Sequence, residues 1–373
     1  MGIMKTSCDS RTPTLFRPFI FKHLILQNRI VMAPMTRSKS PGGIPGANVA
    51  AYYRRRAEGE VGLIVTEGTY IPHPGAGFYP DVPHFYGKEP LAGWKRVVQE
   101  VHAAGGRIFP QIWHVGLTAP PGVNMGKDAV GPSGLLKPGE QVRAPMTQQE
   151  IDDVIQAYGK AAASAELLGF DGLEIHGAHG YLIDQFFWEG TNRRTDQYGG
   201  DLVKRTHFAV QVIEEVRRNV GRDFPVCLRF SQWKLQDYSA KLAGTPQELE
   251  RFLAPLAAAG VDIFHCSQRR FWEPEFEGSP LNLAGWTKKL TGKPTITVGS
   301  VTLNQEFTTS FGNSDTASVT GIDDLLDRIE RNEFDLVAIG RSLIVNPDWP
   351  KIVRRGALEE LLPFQRDVLK ELV

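Results

Sequence analysis

The chain has 373 residues, 42 Lys+Arg against 42 Asp+Glu, and 42% hydrophobic residues, enough apolar material for a large core. The zero net charge excludes the surplus of cations that nucleic acid or an anionic membrane surface requires, so neither partner is expected. There is no apolar run long enough for a membrane span or a signal-peptide core, and Cys8, Cys227 and Cys266 are too few and too scattered for a disulfide framework or a metal cluster, so a soluble, cytoplasmic protein with reduced thiols is expected.

In chain order, FRPFIFKHLILQNR comes first, alternating imperfectly, and predicts a hairpin that caps a barrel floor. Short β-branched or apolar runs follow: RIVMA at 29–33, LIVT at 63–66, RIFPQI at 107–112 and LEIH at 173–176. Four more are VCLRF at 226–230, DIFHCS at 262–267, TITV at 295–298 and LVAI at 336–339. Each is too short for a helix, and most lack the alternation of a half-wet strand, which predicts parallel strands buried on both faces. Pro110 is unusual in such a run because it brings no N–H to the ladder.

Segments with helical periodicity separate the strands: NVAAYYRRRAEG, PLAGWKRVVQEVHAAGG, TQQEIDDVIQAYGKAAASAELLG, RTHFAVQVIEEVRRNVG, TPQELERFLAPLAAAG, LNLAGWTKKLTG, TGIDDLLDRIERN and PDWPKIVRRGALEEL. Thr147 and Thr245 are placed as N-caps, Pro246 as a first helical residue, and Gly105, Gly221 and Gly260 where a left-handed terminator belongs. Eight β/α units predict an α/β fold, a closed (β/α)8 TIM barrel, in one domain covering residues 1–373 with the barrel proper at about 28–360. The long strand-to-helix connections at 113–146 and 177–200 would crown the C-terminal face, where barrels carry their chemistry.

Polar groups accumulate at the strand ends. Strand one ends in Ala33, Pro34, Met35 and Thr36, strand two in Glu67 and Gly68, strand three in Gln111 and Trp113, and strand four in His176, His179 and Tyr181. Strand five delivers Arg229, which a barrel interior tolerates only opposite an anion or dipole. Gly299 and Ser300 after strand seven, with Gly340 and Arg341 after strand eight, suggest a phosphate cradle, since backbone N–H groups approach an anion where no Cβ intervenes. In HGAHGYLIDQF the two histidines could ligate a metal, but the other strand ends offer Thr36, Gln111 and Arg229 rather than further ligands, so no metal is expected. Neutral imidazoles can instead donate hydrogen bonds to a carbonyl or nitro oxygen, and Tyr181 can supply a proton while uncharged at neutral pH.

NRIVMAPMTR, QIWHVG, IHGAHGYLIDQFF, NRRTDQYGG, LRFS and IGRSLIVNPDW occur in this order across nearly the whole chain, which resembles the old yellow enzyme family of FMN-dependent ene reductases. The resemblance implies tightly but non-covalently bound FMN, NADPH or NADH as reductant, and ping-pong reduction of activated C=C bonds such as those of enones. It implies further that Ala33, Pro34, Met35, Thr36, Gly68 and Gln111 contact the isoalloxazine ring and that Arg229 lies near N1. Gly299, Ser300, Gly340 and Arg341 would hold the phosphate. His176 and His179 would bind the activating oxygen, Tyr181 would protonate the carbon beside the carbonyl, and Trp113 would line the substrate site. The polar stretch Thr302 to Thr320 adjoins the phosphate residues and is much longer than an ordinary connection. A metal-dependent barrel hydrolase and a non-catalytic flavin-binding protein are the alternatives, separated by metal analysis and by NAD(P)H oxidation.

Overall fold

The eight apolar runs form eight parallel strands in the computed structural model, which describes residues 12–119, 123–306 and 316–373. Cys8 and the middle of the Thr302 to Thr320 stretch lie outside the described residues. The strands are β1 (Ile30–Met32), β2 (Leu63–Tyr70), β3 (Ile108–Trp113) and β4 (Leu173–His179), then β5 (Val226–Lys234), β6 (Ile263–Ser267), β7 (Thr295–Val298) and β8 (Leu336–Ile339). They pair in chain order, and β8 returns to β1 through Val337↔Ile30 and Ala338↔Val31, closing a barrel with no free edge.

Around the barrel lie α1 (Ala47–Glu58), α2 (Lys88–Ala103), α3 (Gln148–Leu168), α4 (His207–Asn219), α5 (Pro246–Ala259), α6 (Leu283–Thr291) and α7 (Asp323–Glu330). The eighth connection is split into Arg341–Val345 and Trp349–Arg354. Thr147 and Thr245 each form a capping box with the glutamate three residues on, Glu150 and Glu248, and Pro246 opens α5. Gly105 and Gly260 take positive φ after α2 and α5. Gly221 does not take the left-handed form predicted for it. There α4 ends at Asn219, Val220 turns extended, and the Gly221 N–H points away from the helix to the Glu166 carboxylate at 3.0 Å, so it is not available for a Schellman turn.

The predicted hairpin forms from Phe19–Phe21 and Leu24–Leu26, with Phe19 opposite Leu26. Phe19, Leu24 and Leu26 are buried in one cluster with Val31, Leu63, Phe109, Ile263, Ile296 and Leu336 inside the barrel. Each such burial is worth about 1.5–3 kcal/mol, which is why the hairpin seals the floor and leaves the C-terminal mouth for polar groups.

Strands β2, β4 and β5 run on to Tyr70, His179 and Lys234, past the apolar runs that predict them. Their polar ends are therefore still held by the ladder. Pro110 sits in β3 where the β2 pairing shifts register between Val65 and Gly68, and the neighbouring Gln111 N–H goes to the Thr66 hydroxyl at 3.1 Å. Alternation then fixes what faces the lumen. Gln111 is level with Glu174, which is level with Cys227, and one step higher His176, Arg229 and His265 are level with one another. Among the described residues no helix is long and apolar enough to cross a membrane.

Candidate active site

A cavity of about 420 Å³ opens at the C-terminal mouth. It is lined by Ala33, Pro34, Met35 and Thr36 from the end of β1, by Gln111 and Trp113 from β3, and by His176, His179 and Tyr181 from β4 and its turn. Arg229, Gly299, Ser300, Gly340 and Arg341 complete the set, so the strand ends do converge. Gly68 alone among the predicted site residues is absent from the lining. A Cβ there would lie 2.5 Å from Trp113 Cε3, so this glycine acts by letting the indole lie against β2.

The loop carrying Thr36 is held by Glu67, whose buried carboxylate accepts the N–H groups of Arg37 at 2.9 Å and Ser38 at 3.0 Å. Ser38 is left-handed at φ 50°, a conformation these bonds stabilise. Burial pushes the Glu67 carboxyl up to about 7, although the two N–H donors and Arg37 oppose it.

Two consecutive left-handed residues, His179 at φ 66° and Gly180 at φ 81°, turn the chain so that both His179 and Tyr181 face the cavity. Glycine suits position 180 because φ 81° strains any residue with a Cβ, and a Cβ would also displace the end of the Gln236 side chain. Every polar group of the turn is committed. The Gly180 N–H goes to Asp184 at 2.7 Å, its carbonyl accepts from Thr118 at 2.6 Å and Gln185 at 2.8 Å, and the His179 N–H goes to Ser231 at 2.9 Å. Asp184 in turn pairs with Lys234 at 2.7 Å, both fully buried, which ties the turn to the end of β5. Removing one partner of such a pair typically destabilises by about 3–5 kcal/mol.

The histidines of the site are uncharged at neutral pH. Burial, reinforced by Arg229, pushes His176 down to about 3, and the same causes push His179 well below its ordinary value. His176 Nδ1 accepts the Ala178 N–H at 3.3 Å, which leaves the ring proton on Nε2. His179 Nε2 bonds the Ser267 hydroxyl at 2.8 Å, and that hydroxyl also accepts from Arg229 Nη2 at 3.3 Å. Burial holds the Tyr181 phenol well above its usual pKa, so it keeps its proton. Trp113 meets Tyr181 edge to face at 4.8 Å, and Trp233 stacks on His179 at 4.5 Å.

Arg229 is buried, and its Nε has no hydrogen-bond partner among the described residues. An orphaned charged donor of this kind is expensive unless a bound group meets it. Glu174 does not hydrogen-bond Arg229 directly; it bonds Gln111, His265 and Cys227 instead. At the other end of the cavity Gly299 is at φ 148°, and a Cβ would crowd the Gln268 carbonyl oxygen at 2.8 Å. Arg341 donates to the carbonyls of Gln305 and Glu306, and the single Ser300 hydroxyl proton is within reach of those of Arg269 and Gln305, so the start of the Thr302 to Thr320 stretch closes this end.

Ser267, Trp233, Gln268 and Tyr79 also line the cavity and are not singled out by the sequence reading. Ser267 was findable as the last residue of the DIFHCS run. Trp233 was hidden because β5 does not stop at Phe230. His176 and His179 belong to no group of three metal-ligating side chains among the described residues, and aromatic rings and Ser267 surround them.

The sequence matches the NADH:flavin oxidoreductase / NADH oxidase family over residues 14–360. It is 34% identical over 360 residues to an NADH oxidase of Thermoanaerobacter brockii, covering 94% of this chain but only 52% of that protein, so the chain spans about half of that relative. It is 34% identical over 368 residues to 12-oxophytodienoate reductase 7 of Oryza sativa subsp. japonica, covering 92% of this chain and 88% of the other. The fold superposes on the old yellow enzyme homologue from Zymomonas mobilis with a TM-score of 0.78, 28% identity and 96% of each chain covered. A closed barrel whose strand ends place two neutral histidines, a protonated tyrosine and a buried arginine on one cavity thus joins a family match over most of the chain: the protein belongs to the NADH:flavin oxidoreductase / NADH oxidase family, the FMN-dependent, NAD(P)H-oxidising ene reductases of the old yellow enzyme type.

Proposed function

We propose that this cavity reduces the C=C bond of α,β-unsaturated carbonyl compounds and related nitroalkenes, that the residues lining it divide the work as follows, and that residues 1–373 act as one cytoplasmic unit. The observation that carries the reading is the joint presence of two uncharged imidazoles and a protonated phenol on one cavity, beside a buried arginine donor that lacks a partner among the described residues. The Ala33 to Thr36 segment, Gln111 and Arg229 would hold the isoalloxazine ring of FMN, and Gly299, Ser300, Gly340 and Arg341 its phosphate. FMN, when bound, supplies the hydride it has accepted from NADPH or NADH.

His176, with its proton on Nε2, and His179 hydrogen-bond the activating oxygen of the alkene and draw electron density from its β-carbon. Because neither ring is charged, binding the substrate costs no imidazolium desolvation. Tyr181 gives its proton to the carbon beside the activated group, and the tyrosinate left behind, disfavoured by burial, regains a proton from solvent. One alkene, one NAD(P)H and one proton give the saturated product and NAD(P)+. Trp113 holds the Tyr181 ring edge-on and so fixes the face from which the proton arrives.

The test is anaerobic mixing of the NAD(P)H-reduced protein with 2-cyclohexenone or with cyclohexene. The enone reoxidises the flavin and is recovered as cyclohexanone, and the unactivated alkene does neither. Equal reaction of both, or of neither, contradicts the reading.

A further inference from the structure

Beneath the residues assigned above lies a fully buried carboxylate to which the reading above gives no role. Glu174 is level with Gln111 on β3 and Cys227 on β5, one step below His176 and Arg229. Its Oε1 accepts from Gln111 Nε2 at 2.8 Å, and its Oε2 meets His265 Nδ1 at 2.7 Å and the Cys227 thiol at 3.5 Å. An ionised carboxylate only accepts hydrogen bonds, so it dictates the orientation of both neighbours. The Gln111 amide must turn its NH2 toward Glu174, which leaves its carbonyl for the cavity, and neutral His265 must carry its proton on Nδ1. The His265 Nε2 is then a bare lone pair, in keeping with its lack of any partner among the described residues.

Burial opposes the Glu174 charge, but His265, Arg229 and Gln111 together hold its pKa below the ordinary carboxylate value. Burial, against the pull of Glu174, holds His265 below its own. The negative charge in this layer therefore belongs to Glu174, and Arg229 is buried one step higher on the neighbouring strand, where burial lowers its pKa and Glu174 is the main influence opposing that.

We propose that Glu174 is a positioning residue for the flavin site: through Gln111 it fixes which end of that amide meets the ring, and through Arg229 it tempers the positive field that favours reduced flavin. The proposal rests on the reading above that Gln111 and Arg229 contact the isoalloxazine. The physical argument is one of sign. Reduction adds negative charge at the N1 side of the ring, so Arg229 favours reduction, and a carboxylate in the layer below must disfavour it. Oxidised flavin offers one ring N–H, and a Gln111 carbonyl locked by Glu174 is the acceptor that suits it.

Spectroelectrochemical titration of the FMN-loaded wild type, Glu174→Gln and Arg229→Met, with FMN titrated onto each apoprotein, tests this. Glutamine can keep contact with Gln111 and, in its other tautomer, with His265, so only the charge is lost. In Glu174→Gln the ratio of reduced to oxidised flavin at a fixed potential should rise at least tenfold, an upward shift of about 30 mV for a two-electron couple. In Arg229→Met it should move the opposite way. If Arg229→Met moves down while Glu174→Gln does not move, the proposal for Glu174 fails and the flavin reading stands. If neither moves in FMN-loaded protein, the placement of Arg229 at the ring fails too. Should Glu174→Gln fold poorly, Glu174→Asp carries the test: it keeps the charge but draws back from Gln111, so FMN affinity should fall tenfold or more at an unchanged potential. Unchanged affinity would overturn the positioning role.

Discussion

In Tyr181→Phe, oxidation of the reduced flavin by an enone slows by roughly a hundredfold or more, the usual scale for a lost general acid, while reduction by NAD(P)H is barely affected. Phenylalanine keeps the edge-to-face contact with Trp113 and loses only the hydroxyl, so the cavity keeps its shape. Burial raises the Tyr181 pKa well above its ordinary value, so the wild-type phenol is protonated across the physiological range, and the effect should not depend on pH there. Stopped-flow traces of the two half-reactions separate the roles. Equal slowing of both would show that Tyr181 shapes the flavin site and does not donate the proton.

The second large effect concerns the histidines. A phenol such as p-hydroxybenzaldehyde stacked on oxidised flavin gives a long-wavelength charge-transfer band when its phenolate oxygen is stabilised, and His176, with its proton on Nε2, is a donor on the cavity wall. His176→Ala combined with His179→Ala should abolish the band and weaken phenol binding by at least a hundredfold. Each hydrogen bond to a charged acceptor is worth about 1.5–3 kcal/mol, and every 1.4 kcal/mol is tenfold. Loss of His179 also frees Ser267 and through it Arg229, so the single variants should be non-additive. A spectral titration of the double variant that reproduces the wild-type band and dissociation constant would remove the pair from the oxyanion site.

The barrel was legible because its strands are short apolar runs buried on both faces, a pattern that survives without long-range information. What the runs did not reveal is where strands stop. β2, β4 and β5 continue through Glu67, His179 and Lys234, whose polarity reads as loop, because their side chains find Arg37, Ser267 and Asp184 only after closure. Gly221 departs from its predicted conformation for the same reason: the Glu166 carboxylate that takes its N–H is distant in sequence. The site was legible where chemistry sits at strand ends in distinctive company, as in HGAHGYLIDQF. It was hidden where a common residue acts through a partner. Ser267 matters because His179 and Arg229 both reach it, and Glu174 because Gln111 and His265 do, and no local pattern marks either.

The central claim is that one cavity holds FMN with its ring over Gln111 and Arg229 and presents the alkene to His176, His179 and Tyr181. Diffraction from crystals of the FMN-loaded protein soaked with p-hydroxybenzaldehyde tests it most directly. The account predicts the flavin phosphate at Gly299 and Arg341, the N1 edge at Arg229, and the phenolate oxygen within hydrogen-bonding distance, about 3 Å, of both imidazoles. A phosphate bound away from Arg341, or a phenolate oxygen turned away from the histidines, would contradict it.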